Sequence, residues 1–507
     1  MIFCGTASAA NYTVGPNSTY NYTSINQAVA AAQDGDNITV YPNNGNSYVE
    51  NVNIIRNISL YAKGNVTVRP TTPSNVVFLI SSGGSGTTIQ GFTITGATTS
   101  TGIYLYEVNN CKILKNNIIN CNNGINGHKS NNTQILENNI SNTGTGYAYG
   151  IYMDGHSNKI SGNKINLMGT GSGDSRGIHV WGHSYEISRN NVNITSSGTG
   201  WSYGIILNSN NNTGHNSTIS GNMISSISNV GTSEAINFGN AFSNKAYGNS
   251  ILNGRISNQG QNNHLNYNRI VGNSIVSSLE TLDAQYNWFG SNGGPGLGVI
   301  NGNVTCNLWL MMNIATPSSV NTGQTIKILA DFTHDSNGGI VNPSLINFPG
   351  SVSFTSTLGT ISSLAPVVNG IAKGTFYSGK TLGTSNILGK IDDQSKNSTI
   401  KIIDTIAPKV LSTYPKHKAT KVSRTKTIII KFSENIKAST YWSKITVKNS
   451  KGKKIKISKT IKGNKLYIKT SKRSKYTTYR VYLPSAAVKD ASSNKIRSYS
   501  FRFKTGK

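Results

Sequence analysis

The sequence predicts an all-β fold, a right-handed parallel β-helix followed by two β-sandwich modules, and three observations carry the prediction. At 507 residues the chain is too long for one ordinary core, and 53 glycines with only 13% charged residues favour short strands joined by tight turns. A six-residue pattern, apolar-x-x-Asn-x-apolar, recurs down the middle of the chain in step with a second pattern. From about Leu308 that recurrence stops, and alternating segments bounded by Gly, Pro and Asn take over.

The chain opens with MIFCGTASAA, a short apolar piece ending in small residues. Residues 1–10 read as the remnant of a secretory signal peptide, with cleavage after Ala9 or Ala10, so the mature protein is expected to be secreted or at the cell surface. Beyond this piece no run of 18 apolar residues occurs, and no transmembrane segment is expected in the mature chain. Removal of Cys4 leaves Cys111, Cys121 and Cys306, an odd number without zinc spacing. Cys111 and Cys121 either pair or pack as small buried thiols. Asn-x-Ser/Thr sequons, among them those at Asn131, Asn211 and Asn303, permit glycosylation of an exported chain.

Residues 11–305 are assigned to the β-helix. A solenoid needs a cap, because an open rung exposes apolar interior and unpaired backbone. Ser24-Ile25-Asn26-Gln27 has the form of a capping box, and Ile25, Ala28, Val29 and Ala32 make one apolar stripe, so a short helix is expected to plug the first rung.

The repeat itself reads ILKNNI from Ile113, ILENNI from Ile135, ISGNKI from Ile160, ISRNNV from Ile187, ISGNMI from Ile219, AYGNSI from Ala246 and LNYNRI from Leu265. GIYL at Gly102, GIYM at Gly150, GIHV at Gly177 and GIIL at Gly204 keep step with it, which gives each unit two strands. A period of two turns Ile103 and Leu105, Ile151 and Met153, Ile178 and Val180 inward, and parallel stacking pairs each rung with the next at about 4.8 Å. Asn116, Asn138, Asn163, Asn190, Asn222, Asn249 and Asn268 then form a structural ladder at one corner. Each Asn is expected to take the left-handed conformation the corner demands and to bond its amide to the next rung. Residues 282–296, LDAQYNWFGSNGGPG, set Trp288 and Phe289 beside Gly-rich turns and are expected to close the last rung.

The repeats, the opening YTSINQAVAAAQDGDNITVYP and the closing LDAQYNWFGSNGGPG together resemble the β-helix regions of adhesin-like surface proteins of methanogenic archaea. The resemblance covers roughly residues 18 to 300 and implies a fold similar to that of pectin lyases.

Residues 306–403 alternate in short strands such as Thr325-Ile-Lys-Ile-Leu329 and Ser351-Val-Ser-Phe354. The run from TPSSVNTGQTIKILADFTHDSNG to VNGIAKGTFYSG resembles the bacterial immunoglobulin-like repeats of intimin and invasin type, which implies a spacer module. In residues 404–507, TIIIKFSENI, KITVKN, KLYIKT, YRVYLP and YSFRFKT resemble the immunoglobulin-like domain of S-layer proteins, with Phe432-Ser433-Glu434 in place. The turn Asp490-Ala-Ser-Ser-Asn494 keeps the ends of that family's pattern and loses its Gly. This last module holds 28 Lys and Arg against three acidic residues, net +25, while residues 1–403 carry only +4. So strong a field attracts polyanions, and an extracellular location points to glycans or anionic cell-wall or envelope polymers, a host or neighbouring cell surface among the candidate partners, rather than to nucleic acid.

The outward positions of the β-helix carry the candidate site. One column reads Tyr104, Asn126, Tyr152, His179, Ile206 and Asn237, and the next reads Tyr106, His128, Asp154, Trp181, Asn208 and Gly239. Tyr104, Tyr106, Tyr152, Asp154, His179 and Trp181 make a carbohydrate-binding set, through ring stacking and hydrogen bonds. Asp174, Arg176, His156 and His183 are expected in adjoining turns.

Catalysis is not expected, nor are a cofactor and a metal site. Glycoside hydrolysis needs two carboxyl groups about 5 Å or about 6.5–9.5 Å apart, and alternation places only Asp154 on this face. The alternative is a polysaccharide-active lyase, hydrolase or epimerase using Asp154, Asp174 and His179. The sequence reading is thus a non-enzymatic, adhesin-like envelope protein that contacts glycans.

Overall fold

A computed structural model of the protein describes residues 8–144, 146–209 and 215–507. The signal-like residues 1–7, with Cys4, and the Asn211 sequon lie outside the described residues.

Parallel strands stack rung on rung from Asn11–Val14 to Ile300–Thr305. Each full rung has three strands where the repeat predicts two. Thr101–Tyr106, Lys112–Leu114 and Asn117–Ile119 pair with Asn123–His128, Gln134–Leu136 and Asn139–Gly144 of the next rung. The third strand exists because the six-residue copy bends in its middle. ILKNNI ends one strand at Leu114 and opens another at Asn117.

The bend also corrects the expected role of the ladder Asn. The left-handed conformation falls on the residue before it, with φ of +52° at Lys115, +56° at Glu137, +54° at Arg189 and +60° at Tyr267, while Gly162, Gly221 and Gly248 supply it in the other copies. Once that residue has rotated, the Asn points into the coil and is at most 1% exposed at all seven positions. Its Nδ2 donates to the Oδ1 of the next Asn in line at 2.8–3.1 Å, and the line ends at Asn287. The same Nδ2 donates to a carbonyl of the previous rung, such as Ile135 O for Asn163. From Asn138 to Asn287 each Oδ1 also accepts the backbone N–H of the preceding ladder Asn at 2.8–3.0 Å, and Asn116 Oδ1 accepts from Phe92 N–H. The side chains therefore supply the hydrogen bonds that the bend takes from the backbone ladder.

Helix Ile25–Ala31 covers the first rung, burying Ile25, Ala28 and Val29 in the β-helix core. Ser24 caps it by accepting from Gln27 N–H. Glu50 of the rung below completes the helix start, its carboxylate accepting from Ser24 Oγ, Ile25 N–H and Asn26 N–H at 2.8–3.0 Å.

At the other end two neighbouring aromatics divide between two cores. Phe289 packs on the β-helix core, while Trp288, fully buried, packs edge-on against Phe332 of the following sandwich. Trp288 Nε1 donates to Asp392 Oδ2 at 2.7 Å, and the Arg269 guanidinium pairs with the same carboxylate. The last rung is thus closed by the sandwich that follows it as well as by its own turns.

That sandwich runs from Leu310–Ala315 to Gln394–Ile403 around Phe332, Phe348, Phe354 and Phe376. The C-terminal sandwich packs a four-stranded sheet, Val410–Tyr414, Ile428–Phe432, Lys465–Thr470 and Ile457–Lys462, on a three-stranded one, Thr446–Asn449, Thr478–Leu483 and Tyr499–Lys504. Ile430, Phe432, Ile468, Val481, Phe501 and Phe503 share the core between them. Cys111 and Cys121 are buried free thiols and Cys306 is a free, half-buried one. No helix of the described residues is long and apolar enough to cross a membrane.

Candidate functional site

Strand register sets the outer face. Tyr104, Asn126, Tyr152, His179, Ile206 and Asn237 lie directly across from one another, rung by rung. Tyr106 lies opposite His128, and Asp154, Trp181 and Asn208 follow in the adjacent column. His156 and His183 belong to the strands themselves rather than to adjoining turns, and their rings stack 4.9 Å apart.

A third column was not anticipated. Plain alternation from Tyr152 sends Tyr149 inward, yet Tyr149, Arg176 and Tyr203 are in register beside the Tyr152 column. Glycine is the cause. A Cβ on Gly150 would lie 2.6 Å from both the Gly177 carbonyl oxygen and Ile165 Cγ2, so the backbone there approaches the next rung too closely for any side chain. The strand bends at this point and its alternation starts afresh. GIYM and GIHV carried the signal, a Gly directly after Tyr149 and Arg176 in consecutive units.

The columns merge into an aromatic tract. Tyr149 contacts Tyr152 at 5.4 Å and stacks on His179 at 5.8 Å, His179 meets Tyr152 at 5.4 Å and Trp181 at 5.8 Å, and Trp201 meets Tyr203 at 6.0 Å. Tyr106 lies against Tyr104 at 6.1 Å and stacks on His128 at 5.5 Å. The Arg176 guanidinium lies 5.5–5.8 Å from the ring centres of Tyr147, Tyr149 and Tyr203, and it is held by Asp174 at 2.9 Å and by the Tyr149 hydroxyl at 3.2 Å.

Three polar atoms within this tract have no partner among the described residues. Asn126 Oδ1, Arg176 Nε and His179 Nδ1 are buried without a hydrogen bond. Such groups are rare and costly unless something else meets them. His179 is 3% exposed, and burial, helped by the Arg176 charge, holds its pKa down to about 3. It is therefore a neutral imidazole at ordinary pH, with Asn208 Nδ2 3.1 Å from Nε2. Burial and Asp154 push Tyr152 up to about 12, so it stays a phenol and a donor.

The carboxylates are not paired for hydrolysis. Asp154 bonds His128 Nδ1 at 3.2 Å, whereas Asp174 bonds Arg176 and accepts from Trp201 N–H. Asp154 lies opposite Trp181, seven positions along the chain from Asp174, which at about 3.3 Å per residue separates the two by roughly 20 Å. That is far outside the window for a hydrolytic pair. A neutral His179 likewise lacks the protonated form a general acid needs.

One carboxylate group escaped the sequence reading, because its members are far apart in the chain. Asp404, Glu434 and Asp490 place ligand oxygens within 4.8 Å of one another, an oxygen-only set of the kind hard cations take. Asp490 is already held by Asn494 at both oxygens. Burial raises the Glu434 carboxyl above its ordinary value, and the neighbouring Asp490 and Asp404 add to the effect.

Residues 404–505 match the family described as bacterial Ig-like domain. No curated protein matches the chain. Among solved structures, the chain is similar to pectate lyase Pel9A, at 15% identity over 52% of this chain and 80% of that one, with a TM-score of 0.32. It is also similar to the Yersinia pseudotuberculosis adhesin InvE, at 15% identity over 39% of this chain and TM-score 0.21, and spans 58% of that structure. Domains 5-6 of the S-layer protein SbsC match at 17% identity over 40% of this chain and all of that one, with a TM-score of 0.16.

Proposed function

We propose that the chain is a secreted or cell-surface, adhesin-like envelope protein that binds glycans on its β-helix and is held to anionic envelope polymers by its last module. The observation that carries the first half is the aromatic tract with the partly exposed polar groups beside it. Tyr104, Tyr106, Tyr152 and Trp181 offer ring faces, and the partly exposed His128 and Asp154 beside them offer hydrogen-bonding groups. A sugar has both an apolar ring face and hydroxyls that donate and accept, so it satisfies the two features together. The second half rests on net +25 gathered in residues 404–507, within a module of bacterial Ig-like type.

A second reading, a lyase or hydrolase, is favoured by the Asp154–His128 pair on the same face. It lacks a partner carboxylate for Asp154 at Asp174 and a titrating His179. Titration of the full chain with a panel of acidic and neutral oligosaccharides tests the binding reading. Trp181→Ala and Tyr152→Ala should each weaken the best ligand about tenfold, equivalent to about 1.4 kcal/mol for a lost stacking contact. If no member of the panel binds the parent protein, or neither substitution changes the affinity, glycan binding on this face is wrong.

A further inference from the structure

Both outer faces of the C-terminal sandwich carry a row of basic side chains set straight across the strands. In the four-stranded sheet Lys431 lies opposite Lys465, and Lys465 lies opposite Lys462. In the three-stranded sheet Lys448 lies opposite Arg480, and Arg480 lies opposite Arg502. All six are exposed, and their strand neighbours Ile430, Phe432, Leu466, Val447, Val481 and Phe501 are buried between the sheets. The two rows therefore face away from each other.

Directly opposite like charges destabilise a sheet, because their Cβ atoms are only about 4.5–5.5 Å apart. Nothing within the module relieves them. Its three carboxylates gather at Asp404, Glu434 and Asp490, and among the described residues no ion pair involves any residue beyond Asp392. Each row also runs beside a tyrosine. Tyr467 follows two positions after Lys465, and Tyr482 joins Thr446, Lys448 and Arg480 around a hollow of about 240 Å³.

We propose that this module binds two chains of an acidic polysaccharide at once, one across each outer face, and so cross-links the polymer. The inference rests on the reading that the module holds the protein to an anionic polymer, and it adds where and how many. The occupant is a polyuronate, a chain with one carboxylate on each sugar. The basic groups of a row are spaced by the strand separation of about 4.8 Å, the scale of one sugar ring, so successive carboxylates meet successive charges while a ring lies on Tyr467 or Tyr482.

The test uses the full chain with polygalacturonate, its methyl ester and an inorganic polyphosphate. Salt needed for elution from the immobilised polymer reports binding, and light scattering of the mixed solution reports cross-linking. The variants are K431Q/K462Q/K465Q, K448Q/R480Q/R502Q, their combination, and a control of equal charge change away from the rows, K416Q/K475Q/K495Q. Each row variant should still bind, eluting at lower salt, but lose at least nine-tenths of the scattering. The combination should not bind at physiological salt, and the control should scatter like the parent.

Thermal midpoints of the row variants should equal or exceed the parent's, since repulsion has been removed, which guards against loss of fold. Equal effects of control and row variants, or cross-linking that survives loss of either row, would overturn the two-row proposal while leaving attachment by charge intact. Capture by polyphosphate and not by polygalacturonate would overturn the choice of occupant. Failure of the parent to bind any of the anionic polymers would instead sink the underlying reading.

Discussion

His179 shows how one position can be both structural and chemical. Its ring is closed in by Tyr149, Tyr152 and Trp181, and burial with the Arg176 charge keeps it neutral. The unfolded chain exposes the same imidazole with an ordinary pKa of about 6.5. A depressed folded pKa contributes stability that is present above 6.5 and is lost as pH falls toward about 3, because the unfolded state then takes up the proton first. Below pH 6.5 this residue should cost the fold about 1.4 kcal/mol per pH unit. His179→Gln, which cannot titrate, should flatten that part of the curve, read as urea midpoints between pH 7 and pH 4. An unchanged acid limb in the variant would mean that His179 is charged or exposed in the folded protein. Arg176 differs, since Asp174 and three tyrosines hold it in place.

At the scale of the element, the rung is a three-strand unit whose tightest corner is held by a buried amide. Asn163 accepts from Asn138 N–H and Nδ2, and it donates to Asn190 Oδ1 and Ile135 O. Asn163→Ala should therefore destabilise the protein by about 3 kcal/mol, since it strands a buried donor and a buried carbonyl in neighbouring rungs. Chemical denaturation measures this, and a change below about 1 kcal/mol would show that the rungs do not depend on the ladder. The repeat was legible because these seven Asn residues recur with apolar residues at fixed offsets. Which residue carries the left-handed turn was not, because long side chains such as Lys115, Glu137 and Arg189 occupy it and give no compositional signal. Tyr149 and Tyr203 were missed for a related reason, since alternation was carried straight through glycines where the strand bends. Asp404, Glu434 and Asp490 meet only through sandwich topology, which spacing along the chain does not reveal.

The whole molecule divides its chemistry by position. A β-helix with a nearly neutral surface displays aromatic rings in register, and a distal sandwich concentrates the charge. Between them, a sandwich is fastened to the last rung by Trp288, Arg269 and Asp392. Attachment by the charged end should weaken steeply with salt, because exposed charges are screened beyond about 8 Å at physiological ionic strength. It should also disappear for a chain ending at Ile403. The central claim is that the β-helix face holds glycans without cleaving them. Its most direct test is to incubate the full chain with acidic and neutral polysaccharides and to follow both retention and newly formed reducing ends. We predict retention of at least one polysaccharide, no new reducing ends, and an affinity within about threefold in Asp154→Asn, whose lost charge is partly balanced by its remaining hydrogen bonds. Reducing ends formed by the parent and abolished in Asp154→Asn, with the fold intact by circular dichroism, would contradict the account.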